Sequence, residues 1–145
     1  MLDIIAFIAV AQELTNVDLS KVKRDDMQCL STVVYHEARG EDVIGQMAVA
    51  HVVLNRVNSK RYPDSVCGVV YQSHQFTNVQ HAKPNRGSAA WGEAMEVAML
   101  SVTGMVESPI GNAKHYYNPH KVSVNWDNGE PFKMVGNHKF LEGVR

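Results

Sequence analysis

The sequence lacks the features that announce several function classes. It has no surplus of either charge: Lys plus Arg total 14 against 15 Asp plus Glu, a formal net charge of -1. Binding a polyphosphate backbone calls for a basic surplus, so no nucleic-acid partner is expected. Its longest apolar run, residues 4–11 (IIAFIAVA), falls far short of the roughly 20 residues a spanning helix needs, so no stable membrane insertion is expected. There are two cysteines, Cys29 and Cys67, without CxxC or Cys/His ligand spacing, which excludes a standard structural zinc site. They can form one disulfide or stay as two thiols. No GxSxG elbow and no P-loop occur. His36-Glu37 opens like the HExxH zinc signature, but the position four after His36 is Gly40, so the second ligand is missing. His51, His74, His81, His115, His120 and His138 are scattered along the chain. The expectation is no metal and no cofactor. Cys29 lies on or near the apolar face of a helix, where a buried inert thiol is a better reading than a nucleophile.

What is present suits one domain around one core: 145 residues, 45% of them apolar and 20% charged. Residues 1–24 read as an N-terminal helix followed by a polar loop. The apolar run there also ends in the small-x-small sequence Ala9-Val10-Ala11 of a signal-peptide cleavage site, but no positive charge precedes it. Residues 25–145 read as the functional domain. Asp25 or Asp26 can cap a helix whose apolar face is Met27, Leu30, Val33 and Val34, with Gly40 as its stop. A second helix over residues 43–57 is apolar almost all round and should therefore be central. Asp64 or Ser65 caps a short helix through Val66, Val69 and Val70, and residues 72–87 form a polar loop. Ser88 opens a further helix ending at Gly104. Residues 113–117 and 132–135 have the character of brief strands or extended loops. The fold class is α+β and predominantly helical, with a small β or irregular C-terminal part folding back as one wall of a cleft.

The chemistry-bearing candidates start with Glu37 and Glu41 in YHEARGE. Glu37 sits in the last turn of its helix, against the negative end of the macrodipole, with Val33, Val34 and Ala38 near enough to desolvate it. Both effects raise a carboxyl pKa, as a general acid at neutral pH requires. On spacing alone, an exposed helix-end glutamate paired with Arg39 is the plainer reading. Tyr116, Tyr117 and Trp126, interleaved with Asn118 and Asn125, offer rings for stacking on sugar faces and amides for their hydroxyls. The commoner fate of such rings is to cap a small core.

Recognition adds what spacing leaves open. YHEARGE, then GQMAVAHVVLNRV, YPDSVCGVVYQ and QFT, and late GNAKHYYNP, Trp126 and VGNHKF resemble the cell wall hydrolases of the spore cortex-lytic (SleB) type over residues 29–140. The resemblance implies a lysozyme-like domain, related in fold to resuscitation-promoting factors and goose-type lysozymes. It implies cleavage of peptidoglycan glycan strands between N-acetylmuramic acid and N-acetylglucosamine. It places the essential glutamate, the first of EARGE, at Glu37, acting as a lytic transglycosylase without cofactor. Glu41 is the candidate second carboxylate if the enzyme instead adds water, with Asp64 and Asp127 as further choices. Gln46, Gln75, Phe76, Thr77, Tyr116, Asn118 and Trp126 are the implied sugar-holding residues, and Asn55 and Arg56 are read as scaffold fixing the second helix against the catalytic one. The expected partner is bacterial peptidoglycan, met as a monomer in the periplasm or outside the cell. No separate wall-binding domain of the kind that family members often carry is expected within these 145 residues. A compact form of this kind suits a phage lysis enzyme or a virion-borne wall-degrading protein. The competing readings are a hydrolytic muramidase and, in a different class, a wall-binding module without catalysis.

Overall fold

The computed structural model describes residues 22–72, 75–76, 79 and 83–143. The expected N-terminal helix and cleavage site lie outside the described residues, as does Thr77. Among the described residues the helices α1 (Arg24–Ala38), α2 (Val43–Val57), α3 (Val66–Val70) and α4 (Ala89–Val102) come first. Three short strands follow, β1 (His115–Tyr117), β2 (Phe132–Val135) and β3 (His138–Leu141), in the antiparallel order β1-β3-β2.

The helix ends follow local chemistry. The Asp42 carboxylate accepts from the Gly45 amide, Ser65 Oγ from Gly68, and Ser88 Oγ from Trp91, each satisfying an amide with no partner inside its helix. The start of α1 differs from expectation. Its cap is Lys23, whose side chain makes no capping bond, and Asp25 and Asp26 stand inside the first turn. There they face the positive end of the helix dipole rather than serving as the cap. At the other end Gly40 takes a φ of 88°, a left-handed conformation that turns the chain sharply into α2.

Two apolar clusters meet on α2, which explains why that helix is apolar all round. Met47, Ala50 and Val53 pack with Leu30, Val33 and Val34 of α1 and with residues of α3 and α4. Ala48 and Val52 pack the other way, against Ile110, Ala113 and Phe140. Fully burying each such Val or Leu contributes roughly 1.5–3 kcal/mol. Phe140 on β3 also stacks on Tyr116 of β1, its direct cross-strand neighbour, with ring centroids 5.2 Å apart. The sheet is thus fastened to α2 through one face of its central strand.

Cys29 is not a free buried thiol. It is bonded to Cys67, with the Cα atoms 5.3 Å apart. The helix face that made Cys29 read as an inert thiol is the face that meets α3, where Cys67 lies.

Candidate active site

Glu37 occupies the last turn of α1, where the turn at Gly40 opens the domain toward the sheet. The cleft there has a volume of about 450 Å³ and is lined by Glu37, Arg56, Gln75, Phe76, His115, Tyr116 and Trp126. Burial of the Glu37 carboxyl raises its pKa above the ordinary value, and a hydrogen bond from the Tyr116 hydroxyl opposes that rise. The net direction is upward, so the protonated form persists to higher pH than for a solvated glutamate. Arg39 does not pair with Glu37. Its Nη1 donates to the Tyr35 hydroxyl at 2.6 Å, and its guanidinium lies 4.6 Å from the Tyr35 ring centre.

The wall opposite is built around Arg56. This side chain is 5% exposed, with Nε donating to the Lys114 carbonyl at 2.8 Å and Nη1 to Gln75 Oε1 at 3.1 Å. The guanidinium is flanked by the rings of Tyr62 and Phe76, at 5.0 and 5.3 Å. Delocalised charge between two ring faces tolerates burial better than an ammonium would. Nearby, Asn55 Nδ2 donates to the carbonyls of Gly111 and Ala113. Asn55 and Arg56 therefore fasten α2 to the segment leading into β1, and not to α1 as expected. Arg56 also faces the cleft. Its position in a helix that is apolar almost all round gave no sign of that.

His115 is the other cleft residue that was not singled out. Its Nε2 lies 3.1 Å from the Tyr62 hydroxyl, and its ring lies against Trp126 with centroids 5.8 Å apart. Burial, reinforced by the charges of Arg56 and Lys114, lowers its pKa to about 4, so it is neutral near pH 7. Its adjacency to Tyr116 in HYY was the only available signal.

The remaining sequence-derived candidates are distributed unevenly. Gln75, Phe76, Tyr116 and Trp126 come together with Glu37 in the cleft lining. Gln46 lies inside the protein, 4% exposed, with its amide nitrogen donating to the Glu41 carbonyl at 3.2 Å and to Glu93 Oε1 at 2.7 Å. It braces the Gly40 turn against α4. Asn118 accepts from the His120 amide and shapes the turn after β1. Glu41 is outside the cleft lining, 3.3 Å from His138 Nδ1. Asp127 is engaged by the Tyr117 hydroxyl at 2.5 Å and by Lys139 Nζ at 2.7 Å. Among the described residues, Glu37 is the one carboxyl that lines this cleft.

Helices wrapped around a central one, a small sheet forming a cleft wall, and a desolvated carboxyl at the end of the first helix define a lysozyme-like domain. The profile of the cell wall hydrolase family matches residues 40–141, and the chain belongs to that family. The matched region begins just after Glu37. The chain is 38% identical over 122 residues to a spore cortex-lytic enzyme of Oceanobacillus iheyensis, covering 82% of this chain and 42% of that protein. It is 37% identical over 123 residues to the spore cortex-lytic enzyme of Bacillus subtilis, covering 81% of this chain and 38% of that protein. The chain thus spans less than half the length of these curated relatives. Among solved structures, it resembles the catalytic domain of the germination-specific lytic transglycosylase SleB from Bacillus anthracis, with a TM-score of 0.70 at 34% identity, covering 84% of this chain and 98% of that one. The catalytic domain of the Bacillus cereus SleB protein gives a TM-score of 0.71 at 34% identity, covering 88% and 97%.

Proposed function

We propose that this domain cleaves peptidoglycan glycan strands between N-acetylmuramic acid and N-acetylglucosamine as a lytic transglycosylase, with Glu37 as its acid and base. The observation that carries this reading is a single desolvated carboxyl in a cleft walled by rings, the Arg56 guanidinium and the Gln75 amide. Protonated Glu37 donates to the glycosidic oxygen as the bond to muramic C1 breaks, and the N-acetylglucosamine unit leaves as an alcohol. The muramic ring becomes oxocarbenium-like, and the new carboxylate takes the proton from that sugar's own C6 hydroxyl. The C6 oxygen then closes on C1, giving a 1,6-anhydro end and returning Glu37 to its protonated form. No water is consumed.

The Tyr116 hydroxyl orients the Glu37 carboxyl and stabilises the carboxylate between the two proton transfers. Gln75 and Trp126 hold the sugars, while Phe76, only 3% exposed and part of the main apolar cluster, backs the Arg56 guanidinium, which places positive charge along the cleft. A hydrolytic muramidase needs a second carboxylate to direct water, with the two groups several ångströms apart across the bond. Of the sequence candidates, none of Glu41, Asp64 and Asp127 lines the cleft, and two are engaged elsewhere: Glu41 by His138, and Asp127 by Tyr117 and Lys139. Among the described residues, no helix is long and apolar enough to cross a membrane. The proposed setting is the bacterial cell wall, met as a monomer from the periplasm or outside the cell.

Mass spectrometry of soluble products from purified peptidoglycan tests the reaction type. Anhydro-muramic ends are expected. Reducing muramic ends, heavier by one water, would replace the lyase reading with hydrolysis and direct attention to Glu41.

A further inference from the structure

A second cavity, of about 460 Å³, opens beside the cleft and is lined by Ser59, Arg61, Tyr62, Lys114, His115 and Glu142. The two spaces share a wall. His115 lines both, its hydrogen-bonded partner Tyr62 lines the second, and Arg56 of the cleft lies over the Tyr62 ring. The cleft requires no charged ligand, whereas the second cavity has two cations against one carboxylate. That carboxylate is already engaged: Glu142 Oε1 accepts from the Asn112 amide at 3.1 Å. Lys114 Nζ donates to the Asn112 carbonyl at 3.2 Å, leaving two of its three protons unused. The ion pairs among the described residues are His138–Glu41 and Lys139–Asp127, so neither Arg61 nor Lys114 has an acid partner there.

We propose that this second cavity binds a carboxylate of the acidic peptide stem that a glycan strand carries on its muramic acid lactyl group. The inference rests on the reading that the neighbouring cleft holds the strand. A sugar seated beside His115 and Trp126 would direct its lactyl substituent past the Tyr62–His115 pair into a space of the size that takes a short peptide. Arg61 offers a planar fork suited to a carboxylate, and Lys114 a point charge beside it. Ser59 supplies a neutral donor. The cavity would therefore distinguish strands bearing stems from stripped ones, while the cleft reads the sugars common to both.

The test is titration of the wild-type domain with N-acetylmuramoyl-L-alanyl-D-glutamate, followed by NMR, which requires no catalysis. Saturable shifts at the Lys114 and His115 amides are expected. The affinity should fall by about fivefold in the Arg61→Gln/Lys114→Gln double variant. The same ligand with its carboxyls amidated should bind wild type and double variant alike. A thermal melt establishes that the double variant is folded. Equal affinity of wild type and folded double variant for the acidic ligand, or no wild-type shift at millimolar ligand, would overturn the proposal. Failure of the glycan reading appears separately, as a wild type that releases no muropeptide from peptidoglycan yet still binds this ligand, and the binding result then stands.

Discussion

The bond between Cys29 of α1 and Cys67 of α3 encloses a sequence separation of 38 residues that contains Glu37, the Gly40 turn and all of α2. Cutting it releases the unfolded chain from a constraint of roughly 13 cal/mol/K for a loop of that length, about 4 kcal/mol at 25 °C. Cys29 is itself packed against the main apolar cluster, so a small polar replacement adds to the loss rather than offsetting it. For a domain of this size each kcal/mol moves the melting temperature by about 2–4 °C, so the Cys29→Ser/Cys67→Ser variant should melt roughly 8–16 °C below wild type. Circular dichroism melts of the two proteins measure this, and thiol titration of the native wild type should find no reactive cysteine. A drop of less than about 3 °C, or two titratable thiols, would refute the reasoning.

Phe140→Ala should cost about 3–5 kcal/mol in urea unfolding, because the ring is 1% exposed and joins the sheet to Ala48 and Val52; a loss below about 1 kcal/mol would remove it from that role. Glu37 has a folded-state pKa raised from 4.5, so its stabilising contribution is complete below that value and is lost as pH rises through the folded one. Glu37→Gln should therefore melt at or above the wild-type temperature at pH 7, with the difference closing below about pH 4; a variant less stable at both pH values would contradict this. Tyr116→Phe removes the hydrogen bond that favours ionised Glu37, so the alkaline limb of the activity profile should move to higher pH. Movement to lower pH would show that Tyr116 acts on Glu37 in the opposite sense.

Local patterns predicted local structure well in this chain. The bounds of α2 were legible because apolar residues recur on nearly every face of it, and Ser65, Ser88 and Gly104 act as the punctuation their residue types suggest. The start of α1 was misread because two aspartates beside a helix start suit either the cap or the first turn. β3 was missed as a strand because its four residues acquire that state by pairing with both β1 and β2, a long-range event with no local periodicity. The same distinction runs through the site. The place of Glu37 in the cleft lining was not legible from spacing, which favoured a solvent-exposed pair with Arg39; the EARGE resemblance singled it out as the acid proposed above. Arg56 and His115 enter the cleft through contacts made far along the chain, with Gln75, Lys114 and Tyr62. Gln46 shares a motif with the site but points to Glu93, across a packing interface that the motif does not describe.

The decisive measurement is release of soluble muropeptides from purified peptidoglycan by wild type and by Glu37→Gln, with both proteins shown to be folded by the same melt. The predicted result is anhydro-muramic products from wild type and a loss of at least about a hundredfold in rate for the variant, the scale of a removed general acid. Release by folded Glu37→Gln at the wild-type rate would contradict the assignment of Glu37 as the proton-transfer residue.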